Sequence, residues 1–299
     1  MPTRPIDPAA FLPLHPLEFR ILLVLMEAPA HGYRIVKTIE ERERDLPSIY
    51  PGNLYRRIRD AFPGLEPVGD AFAVPMPWGE ESVRIHRDPG AATTGVEVYF
   101  VEHDGYFGRP GIYGDGWDYA DNLRRFATFS RATLQWLPSV VPEPPVIHPH
   151  DWHCALAPVF LRTHFAGSAW HDRVATVLTV HNAGYQGHYG PEVMAELGLP
   201  WDLYRFDRLE WYGKVNVLKG GLVFSDMVTT VSPTHAHELR TRFGGFGLHD
   251  AFNHLQDRFV GVLNGIDYTV WDPERDPVLA QRYTPDDLSG KAVCKAWFQ

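Results

Sequence analysis

The sequence predicts an α/β protein: a Rossmann-like parallel sheet over most of the chain, preceded by a small all-helical segment. Three observations carry this. Four short apolar runs between residues 145 and 263 each end abruptly in polar residues. Helical stretches separate those runs. The first sixty residues, by contrast, hold three short helical runs and no strand pattern. Near-continuous β-branched runs alternating with helices imply parallel strands covered on both faces.

Composition bounds the function classes. The 299 residues suffice for one large domain or two smaller ones. A formal charge of −9 argues against a nucleic-acid surface over the whole protein and leaves room for a local one. Only two cysteines are present, Cys154 and Cys294. They suit a reducing, cytoplasmic compartment and supply neither a disulfide framework nor a cysteine zinc site. The apolar run Ile21 to Met26 is too short to span a bilayer and is flanked by Arg20 and Glu27, so it reads as a buried helix. No basic stretch leads into a long apolar core at the N-terminus, so neither a secretory signal nor a membrane partner is expected.

Leu17 to Glu27 is the first helical run, Tyr33 to Arg44 a second, and Pro51 to Arg59 a short basic third. Three short helices with a basic last one suit a helix-turn-helix unit, in which Asn53, Arg56 and Arg57 would meet DNA. A solvated charged face is the other reading of the same residues. With His31-Gly32-Tyr33 and Ser48-Ile49-Tyr50-Pro51-Gly52-Asn53-Leu54-Tyr55, residues 11–58 resemble the opening of PadR-like winged-helix regulators. The resemblance stops before the wing and the dimerising helix of that family. Residues 1–60 are therefore expected to form a partial helix-turn-helix segment and residues 61–299 the main domain.

From Leu65 the texture is β-like. Ala71 to Met76, Ser82 to His86 and Val96 to Val101 alternate apolar with other residues. A loop rich in Gly, Tyr and Asp follows from Phe107 to Gly116, and loops of that length are frequently functional. Asp118 to Leu137 reads as a helix that buries Leu123, Phe126, Phe129, Ala132 and Leu134. The four α/β runs come next. Pro145 to Ile147 ends at His148–His153, Val174 to Val180 at His181-Asn182, Met227 to Val231 at Ser232, and Phe259 to Leu263 at Asn264. Ala155 to Phe165, Asn216 to Phe224 and Thr234 to Phe243 are the helices between and after them. Strand C-termini of a parallel sheet share one edge, and ligands bind there. Asp151, His181, Asn182 and Asn264 are thus expected to converge. Gly244-Gly245-Phe246-Gly247 follows no strand and reads as a helix terminator.

The segment His148-Pro149-His150-Asp151-Trp152-His153 is rich in potential metal ligands. Neighbours on an extended segment point to opposite faces, so its histidines cannot all reach one ion, and no metal site is assigned. A Gly-x-Ser-x-Gly elbow and a phosphate-cradling glycine loop are both absent. A carboxylate, an imidazole, amides and aromatics remain, which suit hydroxyl-rich ligands. Trp152, Tyr113 and Tyr185 would stack on sugar faces, or Trp152 would simply pack in the core.

Residues 65–299 also resemble the N-terminal catalytic domain of bacterial glycogen synthase and plant starch synthase. The motifs are Tyr106-Phe107-Gly108-Arg109-Pro110-Gly111-Ile112-Tyr113, Asp121-Asn122-Leu123-Arg124-Arg125-Phe126, His150-Asp151-Trp152-His153, and Thr179-Val180-His181-Asn182-Ala183-Gly184-Tyr185-Gln186-Gly187. Lys219-Gly220-Gly221 through Asp226, Thr230-Val231-Ser232-Pro233-Thr234, Gly261 through Asp267 and Trp271-Asp272-Pro273 follow in order. The resemblance implies half of a two-domain GT-B glycosyltransferase. It implies a retaining transfer of glucose from ADP-glucose to the non-reducing end of an α-1,4-glucan, with no cofactor and no required metal. Asp151 and His181 would be catalytic, and Tyr113, Trp152, Asn182 and Asn264 would bind substrate. The family's Lys-x-Gly-Gly-Leu donor loop has no counterpart before Leu65, and the chain stops at Gln299, where that family begins its second domain. The expectation is an incomplete transferase, with DNA binding by the N-terminal segment and glucan binding without turnover as alternatives.

Overall fold

A computed structural model describes residues 64–90, 96–109, 111–115, 117–268 and 271–299. The helix-turn-helix reading of residues 1–60, with Asn53, Arg56 and Arg57, lies outside the described residues.

The described chain opens with strands β1 (Glu66–Pro67), β2 (Phe72–Met76), β3 (Gly79–Asp88) and β4 (Val98–Glu102). All pair antiparallel on β3. Alternation puts Val74, Met76, Val83 and Ile85 on the buried face. Helix α1 (Asp104–Phe107) and the two-residue strands β5 (Gly114–Asp115) and β6 (Trp117–Asp118) lead to α2 (Asn122–Trp136). The predicted helix start at Asp118 is thus four residues early, because the β5–β6 hairpin claims Trp117 and Asp118. Asp121 precedes α2 without capping it, since its carboxylate is held in a two-pronged pair by Arg109 at 2.7 and 2.6 Å.

The parallel sheet follows: β7 (Val146–Ile147), α3 (Asp151–Cys154), α4 (Leu156–Leu161) and β8 (Ala175–Val180). A small antiparallel sheet of β9 (His188–Tyr189), β10 (Glu210–Trp211) and β11 (Lys214–Asn216) is inserted with α5 (Val193–Glu196). Then come α6 (Val217–Phe224), β12 (Met227–Thr230), α7 (Pro233–Leu239), α8 (His249–His254), β13 (Phe259–Gly261) and α9 (Ser289–Phe298). The sheet order β13-β12-β8-β7 is parallel throughout. Val146 pairs with Ala175, Ile147 with Thr176 and His150 with Thr179, so the register does not slip across the His-rich segment. Successive residues Leu178, Thr179 and Val180 are all buried, which shows both faces of β8 covered.

Helix starts follow local chemistry. Asn216 caps α6 by accepting from Lys219 N at 2.9 Å, and Ser232 caps α7 by accepting from His235 N at 2.9 Å. Each cap comes directly after a strand end or turn, so the helices begin close to the sheet's C-terminal edge. Helix α2 packs on α4, and α4 on α6. One hydrophobic core runs from the antiparallel hairpins through these helices to the parallel sheet. Among the described residues, no helix is long and apolar enough to cross a membrane.

Candidate active site

The site is the C-terminal edge of the parallel sheet, where β7 and β8 end side by side. The α3 helix begins there with Asp151, whose φ of 56° lies in the left-handed region. Such a conformation is uncommon outside glycine and marks stored strain. Two backbone groups at the end of β8 hold the carboxylate in place. Asp151 Oδ1 accepts from His181 N at 2.7 Å and from Asn182 N at 3.4 Å. Its second oxygen has no hydrogen bond among the described residues.

The imidazoles form a connected set. His150 Nδ1 lies 2.9 Å from His181 Nε2, so one of these nitrogens donates to the other. His148 Nε2 meets Thr179 Oγ1 at 2.6 Å, and Thr179 Oγ1 meets Thr229 Oγ1 at 2.6 Å. Burial holds His150 below the usual imidazole range, aided by the charges of His148 and His181. The pairing links the tautomer of His181 to that of His150, which fixes whether His181 Nδ1 offers a proton or a lone pair. Among the described residues, no group of three His, Cys, Asp or Glu is arranged to hold a metal ion.

Several predicted residues fall elsewhere than expected. Trp152 is only 7% exposed and packs against Phe126, His153 and Tyr189. It is core rather than a stacking surface, because α3 starts at Asp151 and turns the next side chain inward. Gly187, at φ 66°, lies so close under the Trp152 ring that a β-carbon there would collide with it. Trp152 therefore supports the Asp151 turn from beneath. Tyr113 is 44% exposed and reaches the site through His153, its ring stacked at 4.5 Å and 25°. Its carbonyl is fixed by Asn122 Nδ2 at 2.7 Å. Asn182 N approaches Asp151, and Asn182 Oδ1 folds back to accept from Gly184 N at 2.9 Å. Asn264 is exposed beyond β13, two strands from β8, or roughly 10 Å in the pairing direction. It shares the edge but makes no hydrogen bond to Asp151, His181 or Asn182.

Reading the sequence missed Arg125 as a site component. It is 2% exposed, and its guanidinium donates to Tyr106 O and Ile112 O at 2.8 Å each and to Asn122 Oδ1 at 2.5 Å. It thereby pins both ends of the loop that presents Tyr113. The signal was its place in Asp121-Asn122-Leu123-Arg124-Arg125-Phe126, on the helix face shared with Asn122 and Phe126.

Burial, with the Arg125 charge second, pushes His153 down from 6.5 to about 4. The unfolded imidazole takes up a proton below pH 6.5, the folded one only below about 4. This contribution is fully present above pH 6.5 and is lost as the pH falls to about 4; its full size is about 3 kcal/mol. Thermal melts from pH 7 down to 4.5 are expected to show a steeper loss for the wild type than for His153→Phe, which keeps an aromatic ring against Tyr113. Parallel melting curves for the two proteins would refute the assignment.

The starch synthase catalytic domain matches residues 34–254. The chain belongs to that family. The match begins at residue 34 and includes Asn53, Arg56 and Arg57, so over residues 34–64 it supports the synthase family and not the PadR-like, DNA-binding reading, and it starts some thirty residues before the boundary expected from the sequence. The glycogen synthase of Myxococcus xanthus is 45% identical over 245 residues, which is 81% of this chain and 50% of that protein. The glycogen synthase of Syntrophotalea carbinolica is 41% identical over 247 residues, 82% of this chain and 50% of that one. In structure, the catalytic domain of starch synthase IV from Arabidopsis thaliana, bound to ADP and acarbose, superposes with a TM-score of 0.64 at 33% identity. That superposition covers 79% of this chain and 48% of the plant catalytic-domain chain. The α/β architecture is that of a GT-B glycosyltransferase catalytic domain, as the sequence predicted. The chain spans about half the length of the curated relatives it matches.

Proposed function

We propose that this chain transfers glucose from ADP-glucose to the 4-hydroxyl at the non-reducing end of an α-1,4-glucan, with retention at the anomeric carbon. The observation that carries the reading is Asp151. Its strained backbone and two backbone donors, His181 N and Asn182 N, fix one carboxylate oxygen, while the other has no hydrogen bond among the described residues. A fixed negative charge suits a transition state in which positive charge develops on the sugar ring. His181, coupled to His150, would bond a hydroxyl of the transferred glucose. Asn182 and Tyr113 would shape the sugar sites, Asn264 would act from the far end of the edge, and Trp152 would support the site from within. The relatives' names support synthase chemistry, and the plant neighbour's ADP and acarbose support a nucleotide-sugar donor and a glucan acceptor.

Incubating the purified chain with ADP-glucose labelled in the glucose and with glycogen tests this. Label is expected in the alcohol-insoluble polymer. Label no higher than in a heat-killed control overturns the reading. Retention on amylose without transfer would leave a glucan-binding protein instead.

A further inference from the structure

One exposed ring on the rim of this site has no role so far. Phe246 lies in the turn Phe243-Gly244-Gly245-Phe246-Gly247 that follows α7. Its φ is 50°, a left-handed conformation that an aromatic residue rarely adopts. Buried side chains hold the turn there. Phe246 O accepts from Gln186 Nε2 at 3.0 Å, and the same amide donates to Ala183 O at 2.7 Å. Asn216 Nδ2 in turn fixes Gln186 Oε1 at 2.6 Å. Gly247 O accepts from Trp211 Nε1 at 3.0 Å, and Gly245 N donates to Thr241 O at 2.9 Å. Gly247 itself has φ 83° and lies against the Trp211 ring.

This clamp secures the backbone and leaves Phe246 53% exposed as a residue. Burying the ring is therefore not what the strain achieves. The ring lies over Gly184, where a β-carbon would come within 3.7 Å of it. Gly184 N bonds Asn182 Oδ1, and Asn182 N approaches Asp151 Oδ1. With Asn182 Oδ1 turned back on Gly184, its Nδ2 has no hydrogen bond among the described residues. The rim thus offers a rigid flat apolar face, an amide donor and a carboxylate side by side. A pyranose has the matching character, with C–H groups on its face and hydroxyls around its edge. Tyr185, also half exposed, stands three residues after Asn182 on the same rim.

We infer that Phe246 and Asn182 form a subsite that holds a glucose unit of the glucan acceptor by stacking on the Phe246 ring. The assignment to the acceptor follows from exposure, since a polymer must enter from solvent across an open platform. It rests on the glucosyl-transfer reading above, and binding measurements separate the two.

Maltoheptaose titrated calorimetrically into the full chain is the test. Phe246→Gly removes the ring and adopts the left-handed backbone without strain. It is expected to weaken binding about tenfold, the loss of one stacked apolar face, with a melting temperature equal to or above that of the wild type. Phe246→Tyr keeps the ring and is expected to bind as the wild type does. Equal affinity for Phe246→Gly and wild type overturns the subsite, as does a wild type that binds no maltoheptaose. If binding depends on Phe246 but no label moves from ADP-glucose, the transfer reading fails and the subsite stands. If label moves with the same dependence on acceptor concentration in Phe246→Gly, the subsite fails and the transfer reading stands.

Discussion

Replacing Arg125 by methionine is expected to destabilise the chain by about 4 kcal/mol, lowering its melting temperature by about 12 °C for a domain of this size. Methionine fills most of the stem's volume, so the loss is not chiefly a cavity. It comes from what the guanidinium satisfies. The carbonyls of Tyr106 and Ile112 would lose their 2.8 Å donors, and Asn122 Oδ1 its 2.5 Å donor. The cation would also leave the rings of Tyr119, Phe126 and Phe107, which it faces at 4.9, 5.3 and 5.6 Å. Lysine should rescue little, because one ammonium cannot span a fork that reaches two carbonyls and an amide. A second consequence reaches the site. Arg125 charge helps to hold His153 down, so in the methionine variant the His153 ring should titrate closer to 6.5, measured by nuclear magnetic resonance of the imidazole. A melting temperature within about 3 °C of wild type, less than 1 to 2 kcal/mol, would show that the loop does not depend on Arg125.

The parallel sheet was legible because its signal is local. Five of the seven residues from Val174 to Val180 are β-branched and none is charged, and a run of that kind has few other places to go than a covered strand. Where β7 and β8 end was legible for the same reason, and with it the meeting of Asp151, His181 and Asn182. The width of the sheet was not. Asn264 ends a strand in the same pattern as His181, but strand order decides lateral distance, and only pairing reveals that β12 stands between. The β9–β11 sheet escaped because strands of two and three residues carry no period. Trp152 and Phe246 reverse what residue type suggests. The first, beside the carboxylate, is buried by the turn that begins α3, and the second, in a glycine-rich terminator, is held outward by Gln186 and Trp211. Both outcomes depend on left-handed backbones at Asp151 and Phe246, which long-range hydrogen bonds impose and residue patterns do not announce.

The left-handed turn also decides how Asp151 should be tested. Asp151→Asn is expected to cut glucosyl transfer about a thousandfold while leaving the melting temperature within about 2 °C of wild type. Asparagine tolerates φ near 56° better than any other uncharged side chain of this size. Its amide oxygen can take the place of Oδ1, because both neighbours, His181 N and Asn182 N, are donors. The amide nitrogen then replaces the oxygen that has no hydrogen bond, and the site keeps its shape while losing its charge. A unit charge about 4 Å from the developing positive centre is worth about 4 kcal/mol at the effective dielectric of a partly exposed site, which sets the thousandfold figure. Alanine is a poorer probe. It would leave the His181 and Asn182 amides without their acceptor and force a β-carbon with no compensating bond into the left-handed region, mixing folding with catalysis. Transfer by Asp151→Asn at more than about a tenth of the wild-type rate would limit the charge to about 1.4 kcal/mol of transition-state stabilisation. Asp151 would then be a structural residue whose strain serves the α3 turn alone.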